Sequence, residues 1–326
     1  MLEILRYSLA AMCAGFALNV VISTPRGIFD PAVAVPRFAA WFEKRLRKLY
    51  LNSHDAHKIA GILLMLSSLL IFAGIPAALL IILYKPAPML AFLLDCYLCW
   101  AAFSVVGTKF ALQKITRALN IGRLDLAQTG LSKLTGMDCS GMLEDELIKR
   151  SIECAADCGA DNGVGTLFYM AIGGGAAGMA YRTLSLLRRR YIIEAEDRDS
   201  FGRAAYKRWR IFDIVPAFIC AELMKPTAAL LRFETEECFD YYNRDRKAVD
   251  LINLAPCRCF MACFLGIRLT SRAVQAGSGI RFLTVGDDTR PCEPDDILWA
   301  TIIMYGAVFT ALVVFAALKF GIIWLC

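Results

Sequence analysis

Apolar residues occur along this chain in long blocks that few polar residues interrupt. A helix that crosses a bilayer needs about 20 apolar residues, so each long block is a candidate span. The N-terminal block is shorter, but no small-residue cleavage site is evident, and we interpret it as an anchor rather than a removed signal peptide. The four predicted spans cover residues 7–24, 60–84, 88–108 and 298–325.

Two further apolar segments, residues 164–187 and 211–231, are poorer candidates for spans. The first contains a cluster of glycines, and the second contains charged residues, among them Asp213. A charge at the bilayer centre costs about 2.5–3.5 kcal/mol on insertion scales. We therefore expect both segments to be re-entrant, interfacial or buried.

Basic residues set the predicted orientation. Residues 25–58 carry seven Lys and Arg against three acidic residues, and residues 188–210 carry eight against four. The positive-inside rule places both segments on the cytoplasmic face. Because residues 60–108 form a hairpin that crosses twice, residues 109–163 are also predicted to be cytoplasmic. A single crossing by residues 164–187 would move the second basic segment outside, so we expect no crossing there.

The glycines "GGGAAG" at residues 173–178 match G-x-G-x-x-G by spelling. A dinucleotide-binding loop also needs a preceding strand and a βαβ unit, which this sequence does not predict. Small residues instead favour close helix packing, or a helix break at membrane depth that protein shields from lipid. Walker, HExxH, GxSxG and protein-kinase motifs are also absent from the sequence.

Composition agrees with a membrane location. The 326 residues are 58% hydrophobic and 20% charged, whereas soluble domains have about a quarter charged residues. We predict an all-α, multi-pass integral membrane protein of the cell membrane, with one domain over residues 1–326 and a helical cytoplasmic region. The lipid bilayer is its expected surrounding, and no nucleic-acid partner is expected.

Thirteen cysteines suggest at first a disulfide or metal framework. Several lie in apolar runs, where a thiol behaves as a small hydrophobe. The tightest cluster, Cys257, Cys259 and Cys263, is far in sequence from the two histidines, His54 and His57. Zinc needs four ligands at set spacings, so we expect no bound zinc, and no haem. The scattered thiols indicate reduced cysteines on the cytoplasmic side.

A basic amphipathic helix is predicted over residues 37–50, "RFAAWFEKRLRKLY", where aromatic and aliphatic residues recur at helical spacing. Such a helix either lies on the membrane surface or packs on the protein with a solvated charged face. Residues 109–134 read as two helices with a break at "NIGRLD".

Acidic residues mark the next helix, for which Ser140 is a candidate N-cap. Glu153 and Asp157 lie four residues apart and share one helical face. No basic residue lies four positions after either, so we expect neither to have a partner on the helix. Asp161 follows just past the predicted helix end. These three oxygen donors predict either a magnesium site or an acidic, solvated helix end.

Several stretches resemble one family. "ALNIGRLDLAQTGLSKLTGMDCSGMLEDELIKRSIE" and "DRDSFGRAAYKRWRIFDIVPAFI" resemble the CobD/CbiB family of cobalamin biosynthesis proteins. "DPAVAVPRFAAWFEKRLR" resembles its N-terminal segment, and "FLGIRL" its C-terminal one. The resemblance covers nearly the whole chain in the same order.

The resemblance implies an enzyme, adenosylcobinamide-phosphate synthase, which is a carbon–nitrogen ligase. It joins a carboxyl of adenosylcobyric acid to the amine of aminopropanol phosphate with ATP and magnesium. The expected partners are that corrinoid substrate, aminopropanol or its phosphate, and other corrinoid-pathway enzymes. The implied catalytic residues are Asp138, Glu153 and Asp161, with Asp157 and Asp161 on magnesium. The implied substrate-binding residues are Arg37, Glu43, Asp213 and Asn253.

The sequence also departs from the family pattern. The family's Gly-Arg-Asp-Thr element falls on residues 136–139, where Asp138 remains but Met137 and Cys139 replace Arg and Thr. Cys158 stands where the family has Asn, and Ser185 and Arg188 where it has Asn and Asp. Its His-Pro-Ser-Pro-Asn-Ala-Gly stretch is reduced to "VDLINLAPC". The alternatives are a catalytically degenerate paralogue with a structural or signalling role and, more weakly, a transporter, although no internal repeat is found.

Overall fold

The computed structural model describes residues 2–22, 30–49, 54–196, 203–248, 252–275 and 279–325. Parts of the two predicted basic segments, and residues 249–251 of "VDLINLAPC", lie outside the described residues. Within the described part the chain is almost entirely helical, which confirms the predicted all-α class. The first helices are α1 (Leu2–Ile22), α2 (Pro31–Leu49), α3 (His54–Leu69), α4 (Ile75–Leu83), α5 (Pro88–Ala102), α6 (Val105–Asn120) and α7 (Leu124–Thr135). The later ones are α8 (Glu144–Cys158), α9 (Gly165–Glu196), α10 (Arg203–Leu230), α11 (Cys238–Asp245), α12 (Ala255–Leu265) and α13 (Asp296–Leu325).

A single antiparallel hairpin is the only sheet among the described residues. It consists of β1 (Leu269–Gln275) and β2 (Gly279–Val285), with Leu269 opposite Val285. The glycine cluster lies within α9, and the described residues before it are helical, so no strand leads into it as a dinucleotide-binding loop needs.

The described chain divides into two compact units. Unit 1 comprises Met1–Ser104, Gly165–Phe212 and Leu312–Cys326, and unit 2 comprises Val105–Val164 and Asp213–Ala311. Whether the chain forms a single domain stays a prediction.

Five helical stretches in the described part are long and apolar enough to cross a membrane. They are Leu5–Ile22, His57–Leu83, Pro88–Asn120, Glu144–Tyr191 and Asp296–Leu325. Four of them overlap the spans predicted from sequence, and the doubtful segment 211–231 is not among them. The stretch Glu144–Tyr191 includes residues 164–187, so length and composition alone permit a crossing there. That these residues do not cross stays a prediction.

Helix α9 is broken at its glycines, which is one of the two alternatives that the small-residue cluster left open. Gly173 has φ −133° and ψ 22°, and Gly174 has φ 68° and ψ −165°. The second conformation is essentially restricted to glycine. The break therefore leaves carbonyl groups at the end of the first half-helix, and N–H groups at the start of the second, without hydrogen-bond partners in the helix itself.

Charged side chains from two other helices of unit 1 meet this break. The carboxylate of Asp95 on α5 accepts a hydrogen bond of 2.8 Å from the N–H of Gly175. The ammonium of Lys319 on α13 donates to the carbonyl of Met170 at 3.4 Å and to Ser8 Oγ at 2.9 Å. Asp95 and Lys319 are both buried. A carboxylate at a helix N-terminus and a cation at a helix C-terminus are the favourable arrangement for the helix dipole.

Helix α2 packs against α3 and α9 within unit 1. Val35, Ala39 and Leu46 are buried on its inner face, while Lys44 and Arg45 are exposed. The helix therefore packs on the protein and exposes a charged outer face. Contact of its outer face with lipid stays a prediction.

The predicted pair of helices over residues 109–134 is confirmed as α6 and α7, which pack against each other. The predicted N-cap of α8 is wrong. This helix begins at Glu144 after an extended Leu143, and the hydroxyl of Ser140 instead donates to Asp138. The carboxylate of Glu146 accepts a hydrogen bond from the N–H of Leu143, which caps the first turn in place of a serine.

Candidate active site

The loop between α7 and α8 carries Asp138. Helix α7 ends at Thr135 and is capped by Gly136, whose φ of 76° favours glycine and whose N–H donates to the carbonyl of Ser132. Two residues later, the Asp138 carboxylate accepts hydrogen bonds from the hydroxyl and the N–H of Ser140, at 2.6 and 2.9 Å. These bonds lower the pKa of Asp138 below its ordinary value. The carboxylate is therefore ionised and held in one orientation.

A pocket of about 480 Å³ opens beside this loop. Its lining is polar and combines one cation, one carboxylate, three hydroxyl groups and an amide. The lining residues are Gln128, Thr129, Ser132, Lys133, Gly136, Met137, Asp138 and Ser140. A pocket with an ammonium and an ionised carboxylate suits a small molecule that carries both an anionic and a cationic group.

An ion-pair cluster lies on α8 and α12, in the same unit as the pocket. The Arg258 guanidinium donates two hydrogen bonds to the Asp157 carboxylate, at 2.8 and 2.6 Å. It also lies 3.7 Å from a carboxylate oxygen of Glu153. Arg150 donates a short hydrogen bond to the same Glu153 oxygen. We call these four residues the arginine–carboxylate cluster.

The cluster corrects the expectation that Glu153 has no partner on its helix, and it gives Asp157 a partner from another helix. Arg150 precedes Glu153 by three positions on the helix, and Arg258 comes 101 residues after Asp157. The guanidinium of Arg150 also donates to the sulfur of Met137, which lines the pocket. The pocket loop and the cluster are thus neighbours, although Asp138 and Glu153 are fifteen residues apart in sequence.

The carboxylates do not fit magnesium as they stand. Two negative charges face two guanidinium groups, so the local charge is already balanced. Among the described residues, no group of three or more His, Cys, Asp or Glu side chains is placed to hold a metal ion. The assignment of magnesium to Asp157 and Asp161 stays a prediction.

Asp161 lies one turn beyond Asp157 and is completely buried. It belongs to a π-helical turn, Gly159–Val164, that continues α8. A Cβ at Gly163 would come within 2.2 Å of Val308, so only glycine fits this close packing. In this turn, the amide of Asn162 donates to the Cys158 sulfur at 3.1 Å.

Cys158, which stands where the family has Asn, is buried and makes a second hydrogen bond besides the one from Asn162. Its thiol donates to the hydroxyl of Thr108 on α6 at 3.1 Å. The cysteine therefore links the π-helical turn to α6. It is a buried donor and acceptor rather than an exposed nucleophile.

Asp213 and Asn253 are also buried, on α10 and just before α12. One turn after Asp213, the carbonyl of Ala217 accepts a hydrogen bond of 3.3 Å from the thiol of Cys257. The pKa of Cys257 is raised by its hydrogen bond with Cys220, by burial, and by the charges of Asp213 and Asp157. Asp213 therefore lies on the helix that contacts α12 at Cys257, the residue next to Arg258.

Arg37 and Glu43 belong to unit 1. Arg37 is exposed. The Glu43 carboxylate accepts hydrogen bonds from Arg47 at 2.9 Å, Tyr191 at 2.7 Å and Arg190 at 3.3 Å. Burial raises the pKa of Glu43, but the bonds from Tyr191, Arg47 and Arg190 outweigh it and hold the pKa below its ordinary value. Glu43 is thus already engaged with α9.

The two other departures from the family pattern also lie in unit 1. Ser185 is fully buried, and the Arg188 guanidinium is buried 4.0 Å from the centre of the Trp209 ring. Arg188 therefore packs on an aromatic face at a position where the family carries a carboxylate.

Sequence reasoning missed Lys133, Arg150 and Arg258. Arg258 had a recognisable signal, because it is the one charged residue in the apolar run of α12, "APCRCFMACFL". Arginine is almost never fully buried without a partner, so this arginine predicts a buried carboxylate. Which carboxylate it pairs with could not be inferred from spacing.

These features define a class of protein: a multi-pass helical membrane protein with a polar pocket beside a buried arginine–carboxylate cluster. Comparison with protein families gives the particular family. The sequence model of the family described as CobD/Cbib protein matches residues 12–304. The chain belongs to the CobD/CbiB family.

Curated relatives agree with this assignment. The chain is 26% identical to the cobalamin biosynthesis protein CobD of Clostridium perfringens, over 92% of this chain and 94% of that protein. The protein of the same name from Streptococcus sanguinis is 26% identical over 78% of this chain and 81% of its own length. That of Geobacter metallireducens is 24% identical over 91% and 92%. No solved structure matches the fold.

Proposed function

We propose that this chain acts in cobalamin biosynthesis as an adenosylcobinamide-phosphate synthase. The observation that carries the proposal is the family match over residues 12–304, together with relatives of nearly the same length that are named for cobalamin biosynthesis. The alternative, a catalytically degenerate paralogue, is not favoured by these matches.

The proposed reaction forms an amide from a carboxyl of adenosylcobyric acid and the amine of aminopropanol phosphate. A carboxylate is a poor acceptor for an amine, so ATP first transfers its terminal phosphoryl group to the carboxylate oxygen and ADP leaves. The amine nitrogen then attacks the acyl carbon, the C–O bond to phosphate breaks, and the nitrogen loses a proton. Positive groups must offset the phosphate charge during both steps.

The pocket beside α7 supports a site for aminopropanol phosphate. Lys133 and the lining hydroxyl groups offer donors to the phosphate. Ser140 keeps Asp138 ionised, so its carboxylate can accept a hydrogen bond from the ammonium group of aminopropanol phosphate. After that ammonium loses a proton, the carboxylate can accept a hydrogen bond from the attacking amine. Arg150 lies beside the pocket through Met137 and supplies a second cation for phosphate oxygens.

Catalytic roles for Glu153 and Asp161 stay predictions, as do ATP and magnesium as cofactors. No step is assigned to magnesium here, because Glu153 and Asp157 already hold arginines. The departures at Cys158 and Arg188, and in residues 249–255, lead us to expect slow turnover with weak substrate binding.

The cell membrane is the proposed location, with the pocket and the cluster on the cytoplasmic side. The basic balance of residues 25–58 and 188–210 supports this orientation. ATP is available on that side, which agrees with an ATP-dependent reaction.

The experiment is turnover by membranes that contain the protein. Adenosylcobyric acid, aminopropanol phosphate and ATP should give the amide with one ADP per product. We expect Asp138→Asn to reduce kcat at least tenfold, and Lys133→Gln to raise the KM for aminopropanol phosphate by up to about tenfold. A hydrogen bond to a charged group contributes roughly 1.5–3 kcal/mol, and the exposure of Lys133 reduces this. Each factor of ten corresponds to about 1.4 kcal/mol.

Matched controls are Asp240→Asn and Lys114→Gln, two exposed residues of the same unit that do not line the pocket. Both should leave turnover unchanged. Formation of no amide by the native chain would refute the proposed function. Unchanged kinetics in Asp138→Asn and Lys133→Gln would remove the pocket from the reaction.

A pH profile tests the role of Ser140 separately. Its hydroxyl bond lowers the folded-state pKa of Asp138, so Ser140→Ala should raise that pKa toward the ordinary value. If ionised Asp138 is required, activity is lost as pH falls through its pKa, and the acid limb of kcat/KM should move to higher pH in the variant. An acid limb at the same pH in both proteins would contradict a role for Asp138 in the ionised form.

A further inference from the structure

We propose that Cys238 and Cys263 form an oxidative modification site, at which a hydroperoxide converts the two thiols to a disulfide between α11 and α12. Both residues belong to unit 2 and lie outside the candidate membrane spans. The proposal concerns thiol chemistry alone and does not depend on turnover.

The sulfur atoms of the two cysteines are in contact. The thiol of Cys238 donates a hydrogen bond to the sulfur of Cys263, and the two sulfurs are 3.5 Å apart. A disulfide bond is about 2.05 Å long, so the reduced pair needs only a small side-chain movement to form it. Because the two residues are 25 positions apart, the bond would tie α11 to α12.

Aromatic packing beside the thiols holds the two helices together. Helices α11 and α12 pack against each other. The rings of Phe239 and Phe260 meet edge to face, with their centroids 5.5 Å apart. The ammonium of Lys225 lies 4.1 Å from the first centroid and 4.9 Å from the second. Phe239 directly follows Cys238, so this packing fixes the position of the neighbouring thiol.

The environment distinguishes the two thiols. The hydrogen bond from Cys238 lowers the pKa of Cys263, whereas burial and the carboxylates of Glu237 and Glu234 act against it. The charge of Lys225 adds to the lowering, and the pKa of Cys263 lies below its ordinary value. The same hydrogen bond, together with burial, raises the pKa of Cys238. Cys263 is also the more accessible residue, at 8% exposed against 0%. The thiolate is the nucleophile, so Cys263 attacks the oxidant and Cys238 resolves the product.

The reaction consumes one hydroperoxide for each disulfide. The Cys263 thiolate attacks a peroxide oxygen, the O–O bond breaks, and the leaving oxygen takes a proton, which leaves a sulfenic acid. The Cys238 thiol then loses its proton, and its sulfur attacks the sulfenic sulfur while the S–O bond breaks and water leaves. The two thiols lose two electrons, which the peroxide gains. A thiol reductant reverses the step, and cytosolic disulfides are mostly transient and redox-sensing.

Other cysteines of unit 2 provide matched comparisons. Cys259 lies one turn before Cys263 on the same helix, and burial, followed by the charge of Asp245, raises its pKa to about 12. Cys257 is hydrogen-bonded to Cys220, but both are completely buried and the pKa of Cys257 is raised well above its ordinary value. Neither Cys259 nor Cys257 should therefore form a reactive thiolate at neutral pH.

The test is oxidation of the full-length protein in detergent with hydrogen peroxide at neutral pH. Remaining thiols are alkylated, and tryptic peptides are analysed by mass spectrometry. Cleavage after arginine places Cys238 in peptide 233–244, and places Cys259 and Cys263 together in peptide 259–268. We expect these two peptides to be joined by a bond that dithiothreitol cleaves. The cross-link should be retained in Cys259→Ala and lost in Cys263→Ala.

A second measurement tests the role of Cys238 as hydrogen-bond donor. The rate at which iodoacetamide alkylates Cys263 is measured in the reduced protein. Cys238→Ser keeps a donor to the Cys263 sulfur, whereas Cys238→Ala removes it, so alkylation should be slower in the alanine variant by about threefold or more. Equal rates in the two variants would contradict the assignment of Cys263 as the activated thiolate.

Three results of the oxidation experiment would overturn the proposal. They are the absence of a cross-link between the two peptides, a cross-link that survives Cys263→Ala, and oxidation of Cys220 and Cys257 to a disulfide to the same extent. Fragment ions of the native cross-link assign the bond to Cys263 or Cys259 directly, so the result does not depend on the folding of a variant. The proposed function is tested separately, because no substrate enters these measurements.

Discussion

The buried pair Asp95 and Lys319 should stabilise the break in α9 cooperatively. We consider Asp95→Asn, Lys319→Met and the double variant. Lys319→Met removes two hydrogen bonds from a charged donor, to Ser8 and to Met170. Bonds to charged groups contribute about 1.5–3 kcal/mol each, while bonds between membrane helices average about 0.6 kcal/mol. The lower charged value is therefore the better guide, and it gives a loss of about 3 kcal/mol.

Asp95→Asn keeps an acceptor for Gly175 but removes the charge, which we expect to cost about 1.5 kcal/mol. Each single variant also leaves the opposite charge buried without its attracting partner. The double variant leaves neither charge behind. Its loss should therefore be smaller than the sum of the two single losses, by about 0.5–3 kcal/mol.

The assay is equilibrium unfolding in mixed micelles with increasing sodium dodecyl sulfate, followed by circular dichroism. Lys44→Met and Asp240→Asn form a control cycle of exposed residues, whose effects should be small and additive. Additive effects in the Asp95 and Lys319 cycle would refute the coupling. Single variants that each cost less than about 0.5 kcal/mol would show that these charges do not support the break.

Two further predictions concern the same helix. Gly174→Ala should destabilise the protein by about 1–3 kcal/mol, because the φ of 68° and ψ of −165° at this position suit only glycine. The control variant Gly122→Ala, in an exposed turn, should cost less. Equal unfolding midpoints for the two variants would contradict this prediction. A thiol reagent that does not cross membranes should fail to label Cys154, or an engineered cysteine in residues 195–205, from the outside. Efficient labelling of the engineered cysteine while Cys154 stays protected would mean that residues 164–187 cross the membrane.

Much of the fold is determined by local sequence. Blocks of about 20 apolar residues predict helices wherever they occur, since a helix satisfies its own backbone groups in lipid. The spans and the α6–α7 turn were therefore predictable from residues close together in the chain, and the glycine cluster left a helix break as one of two alternatives. The resemblance of spaced motifs likewise implied Asp138 and Glu153 as catalytic residues.

Only the tertiary structure decided the partners of the charged residues. Arg258 meets Asp157 across 101 residues, and Asp95 meets the break 80 residues away. Helical spacing reports neighbours three or four positions apart and carries no information about such pairs. The Ser140 error has the same origin, because a serine near a helix start can bond either to the helix or to a nearby side chain. The sequence by itself therefore determined where the helices are and which residues are acidic. Packing determined which charges face each other, and it placed arginines beside Glu153 and Asp157. The physical reason is that the cost of burying a charge is offset only by groups that the fold brings to it.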